Sequence, residues 1–205
     1  QEKNYDKTRV ELKNVLQINP KNIEATYLLA QIAESEQNWR KVYGLLAKVI
    51  EANPSHLDAQ IKLGKLLLLS NDEAKASEKA ELVLSQAPDN VDATNLKATI
   101  LLKNKDLIKS AELLNKSLSL DPGNLDASLL LTRIHRSNKN LDEALQTLDN
   151  TIAKHPEALR PALVKIEIYA QQGNKELIEQ SFISLIKLLF YLKSFDSGIL
   201  LTNRF

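Results

Sequence analysis

Three histidines are the side chains of this sequence best suited to bind a metal or move a proton near neutral pH. His56, His135 and His155 have none of the close ligand spacing of a metal-binding helix such as His-Glu-x-x-His. Each also has a structural use. His56 stands where Asn22, Asn90 and Asn124 stand at multiples of 34 residues, in a turn. His135 shares a core column with Ala33, Leu67, Leu101 and Tyr169. His155 precedes Pro156 at a helix C-terminus, where a positive charge suits the helix dipole. The five glycines, Gly44, Gly64, Gly123, Gly173 and Gly198, form neither a dinucleotide fingerprint nor a phosphate loop. The chain has no cysteine, which removes disulfides, thiolate metal sites and a Cys nucleophile. No Ser, His and carboxylate set emerges from local sequence. The expectation is a non-enzymatic chain with no cofactor, no metal and no catalytic residue.

What positions these residues is a repeat. Pro20, Pro54, Pro88, Pro122 and Pro156 recur every 34 residues and are five of the six prolines. Leu16, Ile50, Leu84, Leu118, Ile152 and Ile186 keep the same register, as do Leu12, Leu46, Ala80, Leu114, Leu148 and Phe182. Small residues form a further column at Ala30, Gly64 and Ala98, continued less faithfully by Thr132 and Ile166. Within a unit the apolar positions step by three and four, the spacing of one helical face. Each proline ends a helix, because the residue before it resists helical angles. Asn22, Asn90 and Asn124 then supply N-caps for the next helix.

This reading predicts first helices over 23–36, 57–70, 91–103, 125–137 and 159–171. Second helices fall over 5–18, 39–52, 73–86, 107–120, 141–154 and 175–193. The expected organisation is a single solenoid over 1–205. It has an incomplete repeat at 1–22, full repeats at 23–56, 57–90, 91–124 and 125–158, a divergent repeat at 159–193 and a tail at 194–205. The register begins inside a repeat, so a longer array is expected. One hairpin buries too little apolar surface to fold alone, and stacking neighbours bury each other's faces.

The period and its columns resemble the tetratricopeptide repeat family over nearly the whole chain. The resemblance implies an all-α, right-handed solenoid of antiparallel helical hairpins that binds a protein or peptide partner. It also implies that first helices line a concave groove. The positions that would face it include Tyr27 and Gln31; Asp58, Ile61 and Lys65; Asn95 and Thr99; Leu129, Arg133 and Arg136; and Leu163 and Glu167. The acidic column Glu24, Asp58, Asp92 and Asp126 is expected on one rim, with Lys65, Arg133 and Arg136 towards the other. Its simpler explanation is that an acid in the first turn of a helix is favoured by the dipole. Some family members hold a C-terminal carboxylate with Lys and Asn on successive first helices. Here those columns read Tyr27, Ile61, Asn95, Leu129, Leu163 and Gln31, Lys65, Thr99, Arg133, Glu167, so that clamp is absent.

The run YDKTRVELKNVLQINPKNIEATYLLAQIAESEQNWRKVYGLL is similar to bacterial tetratricopeptide lipoproteins of the PEP-CTERM exosortase and exopolysaccharide systems. That resemblance implies a scaffold in the periplasm or at the cell envelope, with the cytoplasm as the alternative. A second reading is a regulatory or assembly domain of a larger enzyme. The charge balance, 27 Lys and Arg against 26 Asp and Glu, argues against a nucleic-acid partner. No apolar stretch is long enough to span a bilayer. FISLIKLLFYL, from Phe182, is apolar around most of its helix, and it reads equally as a buried terminal helix, a self-association surface through the C-terminal helix, or a truncated or altered reading frame.

Overall fold

The computed structural model describes residues 2–202, with side chains over 5–190. It comprises two compact units, Gln1–Asp106 and Leu107–Phe205. In unit 1 the helices are α1 (Glu2–Ile18), α2 (Ile23–Ser35), α3 (Trp39–Ala52), α4 (Leu57–Leu69), α5 (Glu73–Gln86) and α6 (Val91–Lys103). Unit 2 holds α7 (Leu107–Leu120), α8 (Leu125–Ser137), α9 (Leu141–Lys154), α10 (Leu159–Gln171) and α11 (Lys175–Thr202). Among the described residues there is no strand. The chain is all-α, and within each unit successive helices pack on one another as hairpins, with α4 also meeting α6.

The caps explain why helices start where they do. Asn22, Asn90 and Asn124 each accept a hydrogen bond from the amide three residues on, at 2.8, 2.8 and 2.9 Å. His56 does the same through Nδ1, which accepts from the Ala59 amide at 3.3 Å. Ala158 opens α10 with the same backbone conformation and no side-chain cap. Three residues on stands Pro161, which has no amide hydrogen to donate. Inside the hairpins, Gln37, Asn71, Lys105, Lys139 and Gly173 all have positive φ, between 57° and 70°. This left-handed column keeps the 34-residue period although its residue types differ.

The core consists of the aliphatic columns. In unit 1, Leu46, Val42 and Val49 of α3 pack with Ala30, Ala33, Ala59, Leu63, Ala76 and Ala80, all buried. In unit 2, Ala144, Leu148 and Ile168 form a cluster on which Leu129 and Val164 pack. A buried Thr151 hydroxyl donates to Ser128 Oγ at 2.6 Å, tying α9 to α8. Gly64 shows why its column is small: a Cβ there would lie 2.6 Å from Leu96 Cδ2 and 3.2 Å from Lys79 Cβ.

One expectation fails at the last helix. α11 runs to Thr202, past the 193 read from the sequence. Phe190 occupies the place where every earlier second helix meets its terminating proline, and without that proline the helix continues. Side chains beyond 190, and with them those of the expected tail at 194–205, lie outside the described residues.

Candidate functional site

Unit 1 carries a cleft of about 470 Å³ on the face built by its first helices. Tyr27 and Glu34 come from α2, Asp58, Ile61, Lys62, Lys65, Leu66 and Leu69 from α4, and Asp92 from α6. Trp39 and Val42 close one end from α3. The first-turn acid Asp58 and the last-turn Leu69 mark opposite ends of α4, so the cleft runs along that helix.

Tyr27 and Ile61 are its floor and give it little surface, being 7 % and 4 % exposed. Ile61 packs with Val83 and Ala93, so it serves the core at least as much as the cleft. The accessible apolar surface comes from Leu69 and Trp39, 75 % and 48 % exposed. The Tyr27 ring lies 4.5 Å from the His56 ring, tilted by 46°. Burial pushes the Tyr27 hydroxyl above its ordinary pKa; a hydrogen bond with Gln31 opposes the shift, and Asp58, Glu34 and Glu24 reinforce it.

Charges do not divide between two rims as the columns imply. Lys65 Nζ reaches Asp92 Oδ1 at 2.7 Å, and Lys62 pairs with Glu34 of the preceding first helix. A lysine stem is long enough to bridge neighbouring first helices, so the basic and acidic columns meet. In unit 2, Arg136 likewise reaches the next first helix, lying 3.1 Å from Glu167, which is outside the acidic column.

The remaining positions fall as follows. Gln31, Asp58 and Lys65 are exposed in unit 1, whereas Asn95 is buried and Thr99 is half-buried, its hydroxyl donating to the Asn95 carbonyl at 2.7 Å. In unit 2, Arg133, Leu163 and Glu167 are exposed, Arg136 is half-buried and Leu129 is half-buried against the α9 cluster. The structure thus brings Tyr27, Asp58, Ile61 and Lys65 into one cleft. Trp39, Lys62, Leu66 and Leu69 join them without having been singled out by the first-helix columns. The one available signal was that Trp39 is the sole tryptophan.

Among the described residues no group of three or more His, Cys, Asp or Glu could hold a metal ion. Among them, no helix is long and apolar enough to cross a membrane.

Residues 101–166 match the family model of the tetratricopeptide repeat. The tetratricopeptide repeat family is thereby supported. Solved structures agree on the fold. The crystal structure of MamA is 16 % identical with a TM-score of 0.61, covering 80 % of this chain and 96 % of MamA. YrrB, described as a TPR protein with an unusual peptide-binding site, is 17 % identical with a TM-score of 0.55, covering 86 % of this chain and 91 % of YrrB. The human IFIT1 dimer with m7Gppp-AAAA is 18 % identical with a TM-score of 0.73, covering 90 % of this chain but 46 % of IFIT1. At these identities the likeness concerns the fold alone. No curated protein matches the sequence.

Proposed function

We propose that the protein is a non-catalytic scaffold that binds a protein or peptide segment, and that the unit 1 cleft is its binding site. The observation that carries this reading is the cleft itself, where exposed Leu69 and Trp39 adjoin a row of charges from three successive first helices. Apolar anchors beside orienting charges are the means by which grooves hold peptides. The tetratricopeptide fold is typically a protein-interaction scaffold, and YrrB, which shares it, has a peptide-binding site. The near-neutral charge balance favours a protein ligand over the capped RNA carried by IFIT1.

The unit 2 positions Leu129, Arg133, Arg136, Leu163 and Glu167 belong to the same proposal as a secondary contact surface, with Asn95 and Thr99 shaping α6. The setting proposed is a bacterial cell-envelope or exopolysaccharide assembly, on the strength of the resemblance of residues 5–46 noted above. Cell fractionation of the native protein tests that setting, and recovery from the cytoplasm alone contradicts it.

The binding claim is tested by capturing a partner from native cells and measuring its affinity for wild type, Leu69→Asp and Lys65→Glu. Both positions are exposed, so the variants keep the fold, whereas an aspartate at Ile61 would unfold the core. The expected result is at least tenfold weaker binding by Leu69→Asp. Equal affinity of all three proteins overturns the proposal.

A further inference from the structure

The cleft's charges are not evenly spent. Lys62 is engaged by Glu34 and Lys65 by Asp92, so both of its cations are neutralised from within. Among the described residues Glu24 and Asp58 carry no ion pair, and both are exposed. They belong to the first turns of α2 and α4, and their fields converge on the Tyr27 hydroxyl. The helix dipole accounts for an acid at these two places. It does not account for Glu34, which sits near the C-terminal end of α2, where the dipole disfavours an acid. Asp58 thus lines one end of the cleft without a cation, and Glu24, likewise unpaired, stands one turn before Tyr27 on α2. The other end of the cleft presents Trp39, Leu66 and Leu69, with Glu34 on that side neutralised by Lys62.

We infer that the unit 1 cleft selects an extended peptide bearing a basic side chain at the Asp58 and Glu24 end and an aliphatic side chain at the Trp39 and Leu69 end. This rests on the proposed function above and specifies its ligand. A lysine or arginine beside Asp58 supplies the missing counter-charge. An acidic residue there meets uncompensated carboxylates, so discrimination comes from repulsion as well as attraction. Asp58 and Leu69 are eleven residues apart on α4. That is about 16 Å along a helix, which about five residues of extended chain span.

Trp39 is the chain's only tryptophan and lines the apolar end, so its fluorescence reports occupancy directly. The probes are three blocked peptides, GRSSSSLG, GQSSSSLG and GESSSSLG, titrated against the full chain. The expected order of affinity is basic over neutral over acidic, with at least about a fivefold gap between the extremes at low salt and a smaller gap at high salt. Asp58→Asn and Glu24→Gln each narrow that gap, while far-UV circular dichroism shows the helices intact. If the acidic or neutral peptide binds as tightly as the basic one, the charge assignment is overturned while the cleft remains a binding site. If none of the three alters Trp39 emission at about 1 mM, weaker than most peptide grooves, both the ligand class and the cleft reading fail.

Discussion

Ala158 and Pro161 form a coupled pair whose energetics follow from the capping geometry. Four first helices, α2, α4, α6 and α8, are opened by a side chain that accepts the amide hydrogen three residues on. At α10 the cap is alanine and the third residue proline, although φ and ψ at Ala158 (−76°, 104°) match those at Asn90 (−67°, 110°). An asparagine placed at 158 alone finds no donor at 161, so Ala158→Asn is nearly neutral. Pro161→Ala alone restores the amide but leaves it without a side-chain acceptor, and trims a buried ring. Only the double variant creates the bond. An N-cap of this kind contributes about 1 kcal/mol, so the double-mutant cycle shows a favourable coupling of about that size. In urea, with a slope of about 1–3 kcal/mol/M, the coupling moves the unit 2 midpoint by roughly 0.3–1 M. The assay is equilibrium unfolding of the four proteins followed by circular dichroism at the helical band. Additive effects, or an Ala158→Asn single variant as stabilising as the double, refute the reasoning.

Four further outcomes follow from the same geometry. Lys139→Gly relieves a left-handed residue at φ 63° and raises stability by about 0.5–1 kcal/mol; an unchanged or lowered urea midpoint contradicts this. Gly64→Leu drives a side chain into Leu96 and Lys79 and destabilises by at least about 1–3 kcal/mol, read as a lowered thermal midpoint. The hydrogen bond from Lys75 holds the Asp72 carboxyl below its ordinary pKa. Its contribution is therefore full above the unfolded carboxylate value and is lost as acidification passes through the lower folded one. Acid titrations of wild type and Asp72→Asn should converge at the lowest pH, and parallel curves count against the assignment. Finally, Phe182, Ile183, Ile186, Leu189 and Phe190 are all at least 45 % exposed on α11, and we propose that they drive self-association. Mass by light scattering should rise with concentration and cease to do so in Ile186→Asp, while a concentration-independent monomer removes the idea.

The repeat was legible because prolines and aliphatic columns mark it with residue type as well as position. Every first helix from α2 to α10 starts where the capping and proline pattern places it. The left-handed column was hidden for the opposite reason. Gln37, Asn71, Lys105, Lys139 and Gly173 share a conformation imposed by the hairpin but no common chemistry. The site was legible in part. Steps of three and four put Tyr27, Asp58, Ile61 and Lys65 on one face, and these four line the same cleft. A helical face alone, however, does not tell a cleft floor from a packed core, and Tyr27, Ile61 and Asn95 are buried. Trp39 lies outside the first helices altogether, and its part in the cleft depends on how α3 folds back against α2.

The central claim, that the unit 1 cleft is where a partner docks, is tested most directly by hydrogen–deuterium exchange of the full chain with and without a captured partner. Protection on binding is predicted over α4, the C-terminal half of α2 and the first turn of α3 around Trp39. Protection confined to the second helices α3 and α5 beyond that first turn, with α4 unchanged, contradicts it.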